Sequence, residues 1–67
     1  MKDYKVCAEV FDEYTTCIYK EVVKGIVTAF RSLGEFKMMG ADFIEIVDIE
    51  TDTILIEWEP EIEVINI

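Results

Sequence analysis

The chain has no histidine. That removes imidazole acid–base chemistry, histidine-activated nucleophiles and most zinc sites. Serine occurs once, at Ser32, and is read as a surface hydroxyl on the polar side of a helix, with no base to activate it. Cysteine occurs twice, at Cys7 and Cys17. A structural zinc site takes about four ligands, so two thiols do not make one. No apolar run approaches the ~18 residues that span a bilayer. The opening MKDYKVCAEVFDE holds no uninterrupted apolar stretch, so no secretory leader is expected and the expected location is cytoplasmic. In that compartment thiols stay reduced. A Cys7–Cys17 bridge would need a three-residue loop at residues 11–13 to set the two opposite each other, and a two-residue loop puts them on opposite faces.

The other scarcity is positive charge. Six Lys and Arg stand against fifteen Asp and Glu, for a formal charge of −9. All six bases (Lys2, Lys5, Lys20, Lys24, Arg31, Lys37) lie in residues 1–41 and are balanced there by Asp3, Glu9, Asp12, Glu13, Glu21 and Glu35. Residues 42–67 carry Asp42, Glu45, Asp48, Glu50, Asp52, Glu57, Glu59, Glu61 and Glu63 and no base, so the whole imbalance sits there. Such a balance argues against direct nucleic-acid binding, which needs cations for the phosphates, and against an anionic membrane surface. It suits a partner with a basic surface, or a solvated face that keeps the protein soluble.

What is present is apolar content enough to fold. At 67 residues and 52% hydrophobic, the chain is a single domain with a modest core rather than a disordered segment. Residues 4–11 alternate: Tyr4, Val6, Ala8 and Val10 fall on one face, Lys5, Cys7, Glu9 and Phe11 on the other. Residues 14–23 are rich in β-branched and aromatic types and read as a second strand. A rival pattern, with Tyr14, Ile18, Val22, Ile26 and Phe30 on one long helix, is disfavoured by the side-chain freedom that the β-branched residues would lose. Gly25 breaks the strand. From Ile26 the period becomes helical, over residues 26–39, with Ile26, Ala29, Phe30 and Leu33 inward and Thr28, Arg31, Ser32 and Glu35 outward. Lys37 is the misfit, on the apolar side near the helix end. Gly34 is read as permitting close packing on a sheet, and Gly40 as the helix stop.

Residues 43–49 and 53–59 then form a hairpin, with Glu50, Thr51 and Asp52 as its loop and Pro60 as its end. The alternating tail 61–67 fits a fifth, short edge strand. The fold class is α+β: a ββαββ order with one helix packed on one face of a mainly antiparallel sheet. Phe30, Leu33, Ile54, Ile56 and Trp58 are the expected core.

The hairpin is apolar on both faces. A three-residue loop puts Ile44 and Ile46 beside Ile54, Ile56 and Trp58. A two-residue loop puts Phe43, Val47 and Ile49 there instead, and the pattern leaves both open. Either way the second face keeps apolar side chains, Leu55 among them, between carboxylates. One helix covers one sheet face, so the second is expected to meet another protein or a second copy of the chain, the remaining reading being that the tail 61–67 folds across it.

Two chemical readings fall short. Asp48, Glu50, Asp52 and Glu59 imitate the spacing of a calcium loop, but Thr53 stands where the sharp turn needs glycine and no helix flanks the loop. Carboxylate pairs doing acid–base work would need a pocket of about 300 Å³, which a domain this small rarely forms. No cofactor or metal is expected, nor an enzyme. Size, acidity and layout resemble small accessory proteins of bacteriophages and mobile elements, among them acidic inhibitors of host nucleases and anti-CRISPR-like proteins. That resemblance carries over no functional residue. The expected function is a non-enzymatic, acidic protein-binding domain that docks a sheet face or hairpin on a basic partner, nucleic-acid mimicry being one version. Glu45, Asp48, Glu57 and Glu59 would supply the charge and Leu55 the apolar contact. The alternative is a homo-oligomeric assembly subunit in which the same face self-associates.

Overall fold

A computed structural model describes residues 1–60 and 62–65. Its order is β1 (Asp3–Phe11), β2 (Thr16–Lys24), α1 (Ile26–Met38), β3 (Phe43–Asp48), β4 (Thr53–Glu59) and β5 (Ile62–Ile65). The strands form one antiparallel sheet in the order β2-β1-β3-β4-β5. The ββαββ layout and the α+β class hold, and a fifth strand does lie at one edge. Of the tail, residues 61, 66 and 67 lie outside the described residues.

Glycine sets both ends of the helix. Strand β2 ends at Lys24 and the helix starts at Ile26, so the chain turns within Gly25, at φ 86° and ψ 147°. Its N–H donates to the Lys2 carbonyl at 2.8 Å, tying the turn to the start of β1. At the other end Gly40 takes φ 88°. Its N–H reaches Lys37 O at 3.0 Å, and Ala41 N–H reaches Phe36 O at 3.1 Å. This paired closure satisfies two terminal carbonyls with a left-handed glycine. Gly34 is a different matter. A Cβ there would meet nothing within 4 Å, so no close approach requires it.

The alternation in β1 survives intact. Val6 and Ala8 lie fully buried under the helix, with Ile44 and Ile46 of β3 and Ile56 of β4. Leu33 joins this cluster, while Trp58 packs against its margin. Lys37 puts its ammonium 4.8 Å from the Trp58 ring centroid, which explains a cation on the apolar side of the helix.

The helix is rotated from the expected seat. Its buried stripe is Ala29, Ser32 and Leu33, with Phe36 half-buried, while Phe30 is 43% exposed. Ser32 is thus not a surface hydroxyl, and Phe30 is not core. Ala29 and Ser32 are the small side chains of the helix, and a helix seated on small side chains comes closer to the sheet. Phe36 is held from the side instead, its ring centroid 6.2 Å from that of Tyr19 on β2.

The β3–β4 hairpin follows the three-residue register at its open end, pairing Ile44 with Trp58 and Ile46 with Ile56. Nearer the turn the pairing shifts by one, to Val47 with Ile54 and Asp48 with Thr53. The extra residue is Leu55, a β-bulge. The turn becomes residues 49–52, with Asp52 at φ 55°, the left-handed conformation that Asp tolerates. The bulge has two consequences. Leu55 packs against the core cluster, and Ile54, expected in the core, lies 38% exposed on the other face.

Candidate functional site

The helix contacts β1, β2 and β3 from one side of the sheet. On the opposite side no described element lies over the strands. This open face is built by alternation. Lys5, Cys7 and Glu9 come from β1, paired with Val22, Lys20 and Ile18 of β2. On the other flank of β1 the same residues pair with Val47, Glu45 and Phe43 of β3. Glu45 pairs in turn with Glu57, and Val47 with Ile54. One row across the sheet therefore reads Lys20, Cys7, Glu45, Glu57, and the next reads Val22, Lys5, Val47, Ile54.

Of its apolar members Val47 is buried, while Ile18 is 58% and Val22 63% exposed. A shallow hollow of about 220 Å³ lies among Lys5, Cys7, Glu9, Ile18, Lys20, Phe43 and Glu45. Cys7 forms part of its floor. Burial pushes that thiol above its ordinary value, so it is a poor nucleophile. Cys7 pairs with Lys20 and Cys17 with Val10, which puts the thiols on opposite faces, both free. Four residues, 12–15, join the strands, and Asp12 N–H closes that turn on Thr15 O at 2.8 Å.

The expected site residues divide. Glu45 and Glu57 are neighbours on the open face, both half-buried, and Glu59 is exposed at the end of β4 on the same side. Leu55 is turned to the core side by the bulge. Asp48 is buried on the helix side and already paired, accepting from Lys2 Nζ at 2.9 Å and from Glu50 N–H at 3.1 Å. It anchors the start of the chain and the hairpin turn rather than facing a partner. It is also remote from Glu59, which lies at the far end of β4 from the Asp48–Thr53 pair.

The Lys2 hydrogen bond, ahead of its Coulombic attraction and the N–H groups of Thr51 and Glu50, holds the Asp48 carboxyl below the ordinary carboxylate range. The same bond holds Lys2 above its ordinary value. A lowered carboxyl stabilises the fold above its unfolded value, about 3.9, and loses that contribution as pH falls through the folded value. Lys2 contributes below its unfolded value, about 10.4, and loses it as pH rises beyond. Urea unfolding of the wild type and Asp48→Asn from neutral to strongly acid pH should therefore show a stability gap that closes below about pH 4. A gap that stays constant into acid would mean the pair contributes nothing.

What sequence reasoning missed on this face is its positive half. Lys5 and Lys20 sit beside the acids because β1 lies between β2 and β3, and periodicity along single strands does not reveal that order. The ion pairs among the described residues are Lys2–Asp48 and Lys24–Asp3. Lys5, Lys20, Glu45 and Glu57 take part in neither.

A second hollow, of about 330 Å³, opens at the start of the helix between Met1, Tyr4, Gly25, Ile26 and Val27. Its cations are Lys2, already engaged by Asp48, and Lys24, 3.5 Å from Asp3. No group of three or more acidic or thiol side chains is placed to hold a metal ion, and no helix is long and apolar enough to cross a membrane, among the described residues. Compared with protein-family models, curated proteins and solved structures, the chain matches none.

Proposed function

We propose that the protein is a non-enzymatic protein-binding domain and that its open sheet face is the docking surface. The observation that carries this reading is the interleaving on that face: Ile18 and Val22, more than half exposed, share it with Glu45 and Glu57. A solvated face does not need those apolar groups, and a core does not tolerate those charges. Together they suit an interface in which apolar contacts hold and carboxylates select basic groups on the partner. Ile54 takes the apolar role expected of Leu55. Asp48 drops out of the set, leaving Glu45, Glu57 and Glu59 as the selecting charges. An inhibitor that imitates a polyanion is one form of this function, supported by the nine acids and no bases of residues 42–67.

Replacing Glu45, Glu57 and Glu59 together by Gln removes three charges and keeps the shape. The fold should survive. Association with a partner recovered from lysate should slow and lose much of its salt dependence, because steering by charge is screened by ions. An unchanged on-rate and salt slope would mean that these acids serve solubility alone.

A further inference from the structure

We propose that the occupant of the open face is a second copy of the chain, packed sheet on sheet about a two-fold axis that runs along the strands between β1 and β3. This rests on the docking reading above and names its partner. The face is divided electrically. Lys5 and Lys20 stand on the β1–β2 half beside the acid Glu9, whereas Glu45 and Glu57 stand on the β3–β4 half with no base, and neither these two lysines nor these two acids are engaged in the ion pairs of the described residues. The basic surface that the acids call for is thus present on the chain itself.

Two identical sheets meeting face to face through a two-fold must have that axis in the plane between them. If it ran across the strands, each strand would lie over its own copy, base over base and acid over acid. Running along the strands between β1 and β3, it lays β1 over β3 and β2 over β4. The row Lys20, Cys7, Glu45, Glu57 is then matched end to end, so that Lys20 of each copy faces Glu57 of the other. In the next row Val22 faces Ile54, joining two apolar side chains that the monomer leaves exposed. Symmetry makes every contact twice. Sheets packed in this way keep their strands within about 30° of each other, so the rows stay in register near the axis.

Charge exchange tests the axis as well as the partner. Measured by sedimentation equilibrium at 0.15 M salt, repulsion between two net-negative copies is screened beyond about 8 Å. The wild type should dimerise. Lys20→Glu and Glu57→Lys should each weaken dimerisation by roughly tenfold or more, with unchanged circular dichroism, since each sets like charges opposite one another twice. Mixing the two variants should restore wild-type affinity. In the mixed dimer the introduced acid faces the introduced base, and the native Lys20 faces the native Glu57. A wild type that stays monomeric at millimolar concentration overturns the proposal, as does a dimer indifferent to both substitutions or a mixture that is not rescued. The docking reading is judged separately. A monomeric wild type whose Glu45, Glu57 and Glu59 variant loses the steering of a lysate partner refutes the second copy alone, and one that loses nothing refutes both.

Discussion

Ile46→Ala should take away about half of the protein's stability. Ile46 is fully buried at the centre of the sheet, paired with Val6 on one side and Ile56 on the other, both also buried. Truncating a buried Ile to Ala costs about 2–5 kcal/mol, because lost burial adds to an unfilled cavity. A domain of this length has roughly 3–10 kcal/mol in total, at about 0.05–0.15 kcal/mol per residue. At the middle of both ranges one truncation removes about half of the stability. Phe30→Ala should behave differently. Its ring is 43% exposed, so its removal forfeits about 1 kcal/mol of burial and leaves a folded protein. Urea titrations followed by circular dichroism compare the two directly. Equal losses would mean that the helix sits on Phe30 and not on Ala29, Ser32 and Leu33.

The second large effect belongs to Gly25. With φ 86° and ψ 147° it occupies a region essentially restricted to glycine. Gly25→Ala should cost about 1–3 kcal/mol in backbone strain. The steric part is small. The new Cβ would lie 3.1 Å from Met1 Sδ, the end of a flexible side chain that can swing aside. In a domain of this size each kcal/mol lowers the melting temperature by about 4–8 °C. Thermal scans should show that drop, and a rise instead, as an ordinary Gly→Ala exchange within a helix gives, would contradict a left-handed turn at this position.

These two residues mark what the sequence makes legible. Alternation in Tyr4–Val10 is a local signal, and so is a glycine between two periodic segments; both carry through to the structure. The helix seat is not local. Hydropathy puts Phe30 inside and Ser32 outside, whereas the helix seats its small side chains, Ala29 and Ser32, on the sheet and leaves Phe30 partly exposed. The hairpin needed the turn as well as the strands. A four-residue turn shifts the pairing next to it, and the bulge at Leu55 restores the register farther out, so Leu55 and Ile54 exchange their expected sides. The open face was half legible. Its acids lie on consecutive strands, but its lysines enter only through the β1–β3 pairing, and the excess of acid in residues 42–67 hid them.

That pairing also bears on how the chain reaches its structure in time. β1–β2 and β3–β4 are hairpins that close within short stretches, whereas β1 and β3 pair Glu9 with Phe43 and Tyr4 with Asp48 across β2 and the whole helix. Such long-range pairing sets the pace, because the intervening chain must be ordered before the contacts repay it. Asp42 is placed to hold this seam at one end. Its N–H donates to Glu9 O at 2.8 Å and its carboxylate accepts from Phe11 N–H at 2.7 Å. Ile46→Ala, in the seam, should therefore slow refolding in stopped-flow experiments as well as weaken the native state, whereas Phe30→Ala, outside it, should act mainly by hastening unfolding.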